Sequence, residues 1–173
     1  MAKPSRYQKT SEEILRRFSR GDKEFRNITI EAGDFSGRRL VGIKLEGSTL
    51  SDCKFQNSVL KHASFIASSL HQSTFKGADL SKANLSGVDF RSCVMRDVNL
   101  SGANLEGANL EGVNLSGSNL SGANFNQANL KNANLKDTNP GKLWWKVNLD
   151  EARSLEGTIL PDGTVFGQAA VTE

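Results

Sequence analysis

Large apolar residues recur along this chain at every fifth position. From Phe25 the series runs through Ile30, Phe35, Leu40, Leu45 and Leu50 to Leu130 and Leu135, twenty-three consecutive steps without an exception. A helix repeats near 3.6 residues and a strand at 2, so neither element produces this pattern. From Ile43 onward the residue two places before the large one is nearly always small, as in Ser48, Cys53, Ser58, Ala63, Ala78, Ala83 and Ala103. Ten of the chain's sixteen glycines stand two places after a large one: Gly37, Gly42, Gly47, Gly77, Gly87, Gly102, Gly107, Gly112, Gly117 and Gly122. Concentration of glycine at one phase marks that phase as a turn, because glycine accepts backbone angles that other residues resist. Each unit is therefore a short extended step with one large and one small side chain pointing inward, followed by a corner. One unit cannot bury its own apolar residue. Stacked units can, which predicts an all-β solenoid.

The units Ala103-Asn104-Leu105-Glu106-Gly107 and Ala108-Asn109-Leu110-Glu111-Gly112 carry a specific resemblance. They are similar to the A-(D/N)-L-x-x motif of the pentapeptide repeat family, and the likeness extends over about residues 23–139. The resemblance implies a right-handed quadrilateral parallel β-helix with four pentapeptides per coil, so the shaft has just under six regular coils. Residues twenty apart then stack. Phe35, Phe55 and Phe75 form one expected column, continued by Met95, and Leu40, Leu60, Leu80, Leu100 and Leu120 form another. The first coil is expected to be the least regular, because Gly33 and Arg38 occupy phases where small apolar residues are usual.

The ends of the chain break the period. Thr10 to Arg20 reads as a short helix, with Thr10 and Glu13 as a capping box and Gly21 as the stop. Ile14, Leu15 and Phe18 fall on one side and are expected to cover the first coil, with Arg16, Arg17 and Arg20 outward. Pro140-Gly141 breaks the register, and Leu155 and Leu160 return to it. The chain thus divides into a tail and capping helix (1–22), a repeat shaft (23–139) and a C-terminal cap (140–173). The cap contains an irregular or helical excursion anchored by Leu143, Trp144 and Trp145, then a closing coil through Pro161-Asp162-Gly163. This last turn resembles tails of cyanobacterial members of the family.

Chemistry is sparse. Cys53 and Cys93 share the small inward phase two coils apart, roughly 9–10 Å between backbones and too far for a disulfide. They are expected to be buried free thiols. His62 and His71 lie on outward phases, so no Cys-His or Ser-His-Asp arrangement forms. No spacing suits a metal or a phosphate loop. The reading is a non-enzymatic chain with no catalytic residue, cofactor or metal site.

Charge narrows the partners. The net charge is +3, and residues 25–139 carry twelve basic and ten acidic groups. That is too sparse, and too poor in neighbouring aromatics, for a nucleic-acid stripe. The resemblance implies a second option, a DNA-mimicking modulator of DNA gyrase. It is disfavoured by the positive charge and by a register that runs without an inserted loop from 25 to 135. No apolar run approaches signal-peptide or membrane-span length, so the expected place is the cytoplasm, with no membrane partner. A structural or protein-interaction module with an unidentified protein partner, monomeric or weakly dimeric, is the favoured reading. Val41, Val59, Ile66 and Val94 sit on outward phases. Ile66, His71, Trp144 and Trp145 are the candidate partner surface.

Overall fold

The computed structural model describes residues 8–139 and 152–167. Backbone pairing links residues twenty apart in four parallel columns. Face 1 carries Glu24, Lys44, Ser64, Asn84, Asn104 and Asn124, and face 2 carries Thr29, Thr49, Ser69, Asp89, Asn109 and Asn129. Face 3 carries Asp34, Lys54, Thr74, Val94, Asn114 and Asn134, and face 4 carries Arg39, Val59, Asp79, Asn99, Asn119 and Asn139. The architecture is a four-sided parallel β-helix. From the second coil on, a column residue bonds the preceding coil through both its N–H and its carbonyl. Lys54, for example, donates its N–H to the Gly33 carbonyl at 2.8 Å and accepts from the Phe35 N–H at 2.7 Å. Only one extended outward residue fits between successive corners, so most rungs meet at single bridges. The two named strands among the described residues, β1 (Thr29–Glu31) and β2 (Thr49–Ser51), pair in the early coils on face 2. The first coil is thus not wholly the loosest part of the shaft, since it contributes a full three-residue rung.

The interior follows from the period of five. The large inward residues from Ile30 to Leu135 are essentially inaccessible to solvent. Phe55 stacks between Phe35 and Phe75, with ring centroids 4.9 and 4.7 Å away, and meets the edge of Phe65 at 6.0 Å. Leu40, Leu60, Leu80, Leu100 and Leu120 are buried together as a second column. The small phase does more than save space. Ser68 Oγ accepts the Ser48 N–H at 3.1 Å and donates to the Leu45 carbonyl at 2.7 Å, and Ser73 Oγ does the same for Cys53 and Leu50. A buried serine here satisfies two backbone groups of the coils below it, which alanine leaves to other partners.

Before the first coil, α1 spans Ser11–Phe18, two residues shorter at its C-terminal end than the pattern suggested, because Ser19 to Gly21 already turn back with Gly21 at φ 102°. Thr10 is its N-cap and accepts the Glu13 N–H at 3.1 Å. Ile14 is fully buried, and Leu15 and Phe18 pack against the core at its margin. Arg17 does not point away as its phase implied: its guanidinium sits 5.0 Å over the Phe25 ring and bonds Asp22. Gly33 is enclosed by its own coil and by this docking together. A Cβ there would lie 2.6 Å from Ile30 Cγ2 and 3.3 Å from Ser11 Cβ, while Ser11 Oγ accepts the Asp34 N–H. Arg38, although on an inward phase, is exposed.

Beyond Asn139 the ladder resumes at a longer step. Asn129 pairs with Ser154 and Asn134 with Ile159, a spacing of twenty-five, so one extra pentapeptide's length of chain is accommodated between them. Ile159 then pairs antiparallel with Val165, and the Leu160 N–H donates to Thr164, which makes a tight hairpin of the closing segment. Residues 140–151 lie outside the described residues, and with them Leu143, Trp144 and Trp145.

Two substitutions test this packing. Phe55→Ala removes the middle ring of the stack and is expected to cost about 3–5 kcal/mol, read from urea unfolding. Gly33→Ala is expected to cost about 1–3 kcal/mol and to speed amide exchange in α1 well before the mid-shaft rungs. Equal protection of α1 in the variant would show that the helix does not depend on that close approach.

Candidate functional site

With the interior filled, chemistry is left to the column residues and the two-residue corners. These corners are built from a left-handed residue at the second position. Where glycine is absent the same angle is imposed on ordinary residues, as at His62 (φ 56°), Ala67 (φ 52°), Gln72 (φ 60°) and Lys82 (φ 57°). His62 is therefore held exposed at the corner between faces 4 and 1, and His71 is half-buried at the corner between faces 2 and 3. Asn and Asp on the columns stabilise the corners that follow them: Asn104 Oδ1 accepts the Glu106 N–H at 3.2 Å and Asn114 Oδ1 accepts the Ser116 N–H at 2.9 Å. The C-terminal half adds side-chain rungs, such as Asn124 Nδ2 donating to Asn104 Oδ1 at 3.0 Å. These amides are engaged in holding the wall together.

The residues proposed for partner contact are dispersed. Ile66 is 36% exposed at the corner between faces 1 and 2, and His71 stands at the other corner of face 2. Val94 is 47% exposed on face 3. Val41 and Val59 lie together on neighbouring rungs beside and on face 4, both half-buried. The structure does not gather Ile66 and Val94 into one apolar patch, since face 2 separates them. Sequence reading by segment also missed how charge is arranged. Counted along the chain the bases and acids nearly balance, whereas grouping them by position within a twenty-residue coil separates them by face.

On the corner between faces 2 and 3 the outward column reads Glu31, Ser51, His71, Arg91, Glu111, Lys131 and Glu156. Its charges neutralise one another. Arg91 bonds Asp89 at 2.8 Å and Lys131 bonds Glu156 at 2.8 Å, and these partners hold both carboxyls below the usual range. On face 4 and its two flanking corners the exposed charges are instead mainly cationic: Arg38, Arg39, Lys61, Lys76, Lys82 and Arg96. No described group of three or more His, Cys, Asp and Glu side chains is placed to hold a metal.

Both cysteines are fully enclosed and unpaired on face 3, with Ser73 between them. Cys93 Sγ donates to the Leu70 carbonyl at 2.9 Å. Burial pushes the Cys53 thiol up to about 11 and the Cys93 thiol up to about 12, from an ordinary value of 9.0. Neither is a nucleophile near neutral pH. A thiol that holds its proton more tightly when folded stabilises the fold fully below the unfolded value. That contribution is lost as pH rises through the folded one. The native chain is expected to resist an aromatic disulfide reagent at about pH 8 and to react at both thiols only on unfolding. From about pH 9 to about pH 11 its unfolding midpoint is expected to fall more steeply than that of C53A/C93A. Rapid labelling of the folded chain would contradict the burial.

Comparison with known proteins completes this description. A family model described as pentapeptide repeat region matches residues 43–120. No curated protein sequence matches the chain. Among solved structures, a pentapeptide repeat protein (Rfr23) from the cyanobacterium Cyanothece 51142 is 25% identical, with 76% of this chain and 95% of that one covered and a TM-score of 0.47. QnrB1, a plasmid-mediated fluoroquinolone resistance protein, is 22% identical over 93% of this chain and 87% of its own, with a TM-score of 0.37. A pentapeptide repeat protein from the Arabidopsis thaliana thylakoid lumen is 28% identical, covering 81% of this chain and 83% of that chain, with a TM-score of 0.34. The unbroken period of five, the rungs spaced by twenty and the family match make residues 43–120 a pentapeptide repeat region.

Proposed function

We propose that this chain is a non-enzymatic protein-interaction module, a rigid shaft of just under six coils with α1 as its N-terminal cap, acting on a protein partner in the cytoplasm. The observation that carries this reading is the complete use of the interior for packing: the large inward residues and both thiols are buried, and only the outward columns and corners remain to meet another molecule. A surface of fixed rungs preorganises its side chains, which lowers the ordering cost of association. Ile66 and His71, on the two corners of face 2, are candidate contacts. The gyrase reading draws less support. A DNA mimic presents a continuous negative face, whereas here Glu46, Asp89 and Glu156 are each tied to a cation, Arg26, Arg91 and Lys131.

The test is capture from native lysate on the immobilised full chain, followed by binary titration with each recovered protein. The expected outcome is a saturable partner whose affinity falls on substitution of exposed column or corner residues and is unmoved by conservative core changes. Absence of any partner that binds the purified chain would defeat the proposal. Stoichiometric inhibition of gyrase supercoiling, or its protection from a quinolone, would replace it with the mimic reading.

A further inference from the structure

Face 4 and its two corners gather most of the shaft's cations that make no ion pair. Arg38, Arg39, Lys61, Lys76, Lys82 and Arg96 project from it and from its two corners, and all are exposed. In the same coils Asp79 and Asp97 are the carboxylates on this side. Lys61 reaches Asp79 at 3.2 Å, while the other five have no ion pair with any described residue. Lys76 and Arg96 occupy consecutive rungs of one corner, since the Gly77 N–H donates to the Arg96 carbonyl at 3.1 Å. Their backbones are therefore about 4.8 Å apart, close enough for like charges to repel. Other rungs of that column carry Ser36, Gln56 and Ser116, with a third cation at Lys136, so the corner does not require a cation for its geometry. The corner between faces 2 and 3 shows the alternative: Arg91 bonds Asp89 of the adjoining face 2, and Lys131 bonds Glu156 of the same column.

We infer that face 4 is the docking surface for an acidic protein partner. Between its cationic borders lie Val41 and Val59, half-buried and next to Arg39 and Lys61. An apolar centre within a charged rim is the anatomy of a protein interface. A nucleic-acid surface would present exposed aromatic rings for stacking and a denser run of cations. The aromatic residues of the described shaft face inward as core. The inference rests on the interaction reading above and adds the face and the charge of the partner.

The test uses the full chain and two probes at one ionic strength, a poly-L-glutamate of about twenty residues and a DNA duplex of about twenty base pairs. K76Q/R96Q removes two charges from face 4. R91Q/K131Q removes the same number from the corner where they are already paired, and melting curves verify that both variants fold. The expected result is polyglutamate binding weakened about five- to tenfold by K76Q/R96Q and less than about twofold by R91Q/K131Q. Equal losses, or no binding of polyglutamate to the unsubstituted chain, would overturn the assignment. Tighter binding of the duplex with the same dependence on Lys76 and Arg96 would do so too, by making the occupant nucleic acid. A lysate partner whose affinity is indifferent to K76Q/R96Q would sink the face 4 assignment while leaving the interaction reading in place.

Discussion

The hydrogen bonds that join one coil to the next govern everything else in this molecule. Each column residue donates to the coil below and accepts from it, as Val59 does through the Arg38 carbonyl and the Leu40 N–H. A step of twenty is thereby fixed at every rung from Glu24 to Asn139, and a residue's remainder after division by twenty becomes its address on that shaft. Apolar side chains at one set of addresses are driven inward, and the core they form is continuous because the addresses repeat. The same ladder decides which surface residues are neighbours. Lys76 and Arg96 are far apart in sequence and adjacent in space for this reason alone.

Much of the fold was legible from the five-residue period. The stack of Phe35, Phe55 and Phe75 and the leucine column lie where that period, combined with four units per coil, puts them. The bonding role of Ser68 and Ser73 was not legible, because serine on the small phase looks identical to a space-saving alanine until the unpartnered N–H of the coil below is in view. Gly33 stands out in the sequence without its cause, since its room is taken by Ile30 and Phe35 of its own coil and by Ser11 of α1, twenty-odd residues earlier. The twenty-five-residue step at the closing coil was likewise hidden: Leu155 keeps its phase in fives whether or not an extra unit is inserted. For the surface, charges were counted along the chain, and a linear count averages over all four faces. The signal was present, but it needed the coil length before it could be sorted.

The backbone itself distinguishes the coils that carry these surface groups. From Gly102 to Gly122 every corner has glycine at its left-handed position, which costs little and offers no side chain. From Asp52 to Gln72 five successive corners have none: Asp52, Asn57, His62, Ala67 and Gln72 all take φ between 52° and 60°. Lys82, Ser92 and Asp97 continue the departure. Asn and Asp tolerate that conformation, but His, Gln and Lys accept a penalty of roughly 1 kcal/mol each, which the packed rungs above and below must offset. Lys82 is a case in which the strained position also supplies one of the cations bordering face 4. Ala67 gains no reactive group by the exchange, and nothing in the structure explains it. Local backbone comfort is thus given up mainly in the coils from 52 to 97, the same coils in which Lys76, Lys82, Arg96 and Val59 emerge. The Gly-cornered coils beyond them are smooth, amide-laddered and nearly without charge. A shaft selected only to stand upright would have no reason to gather strained corners and the unpaired Lys76, Lys82 and Arg96 in one stretch of its length, and their coincidence supports the docking surface proposed for these coils.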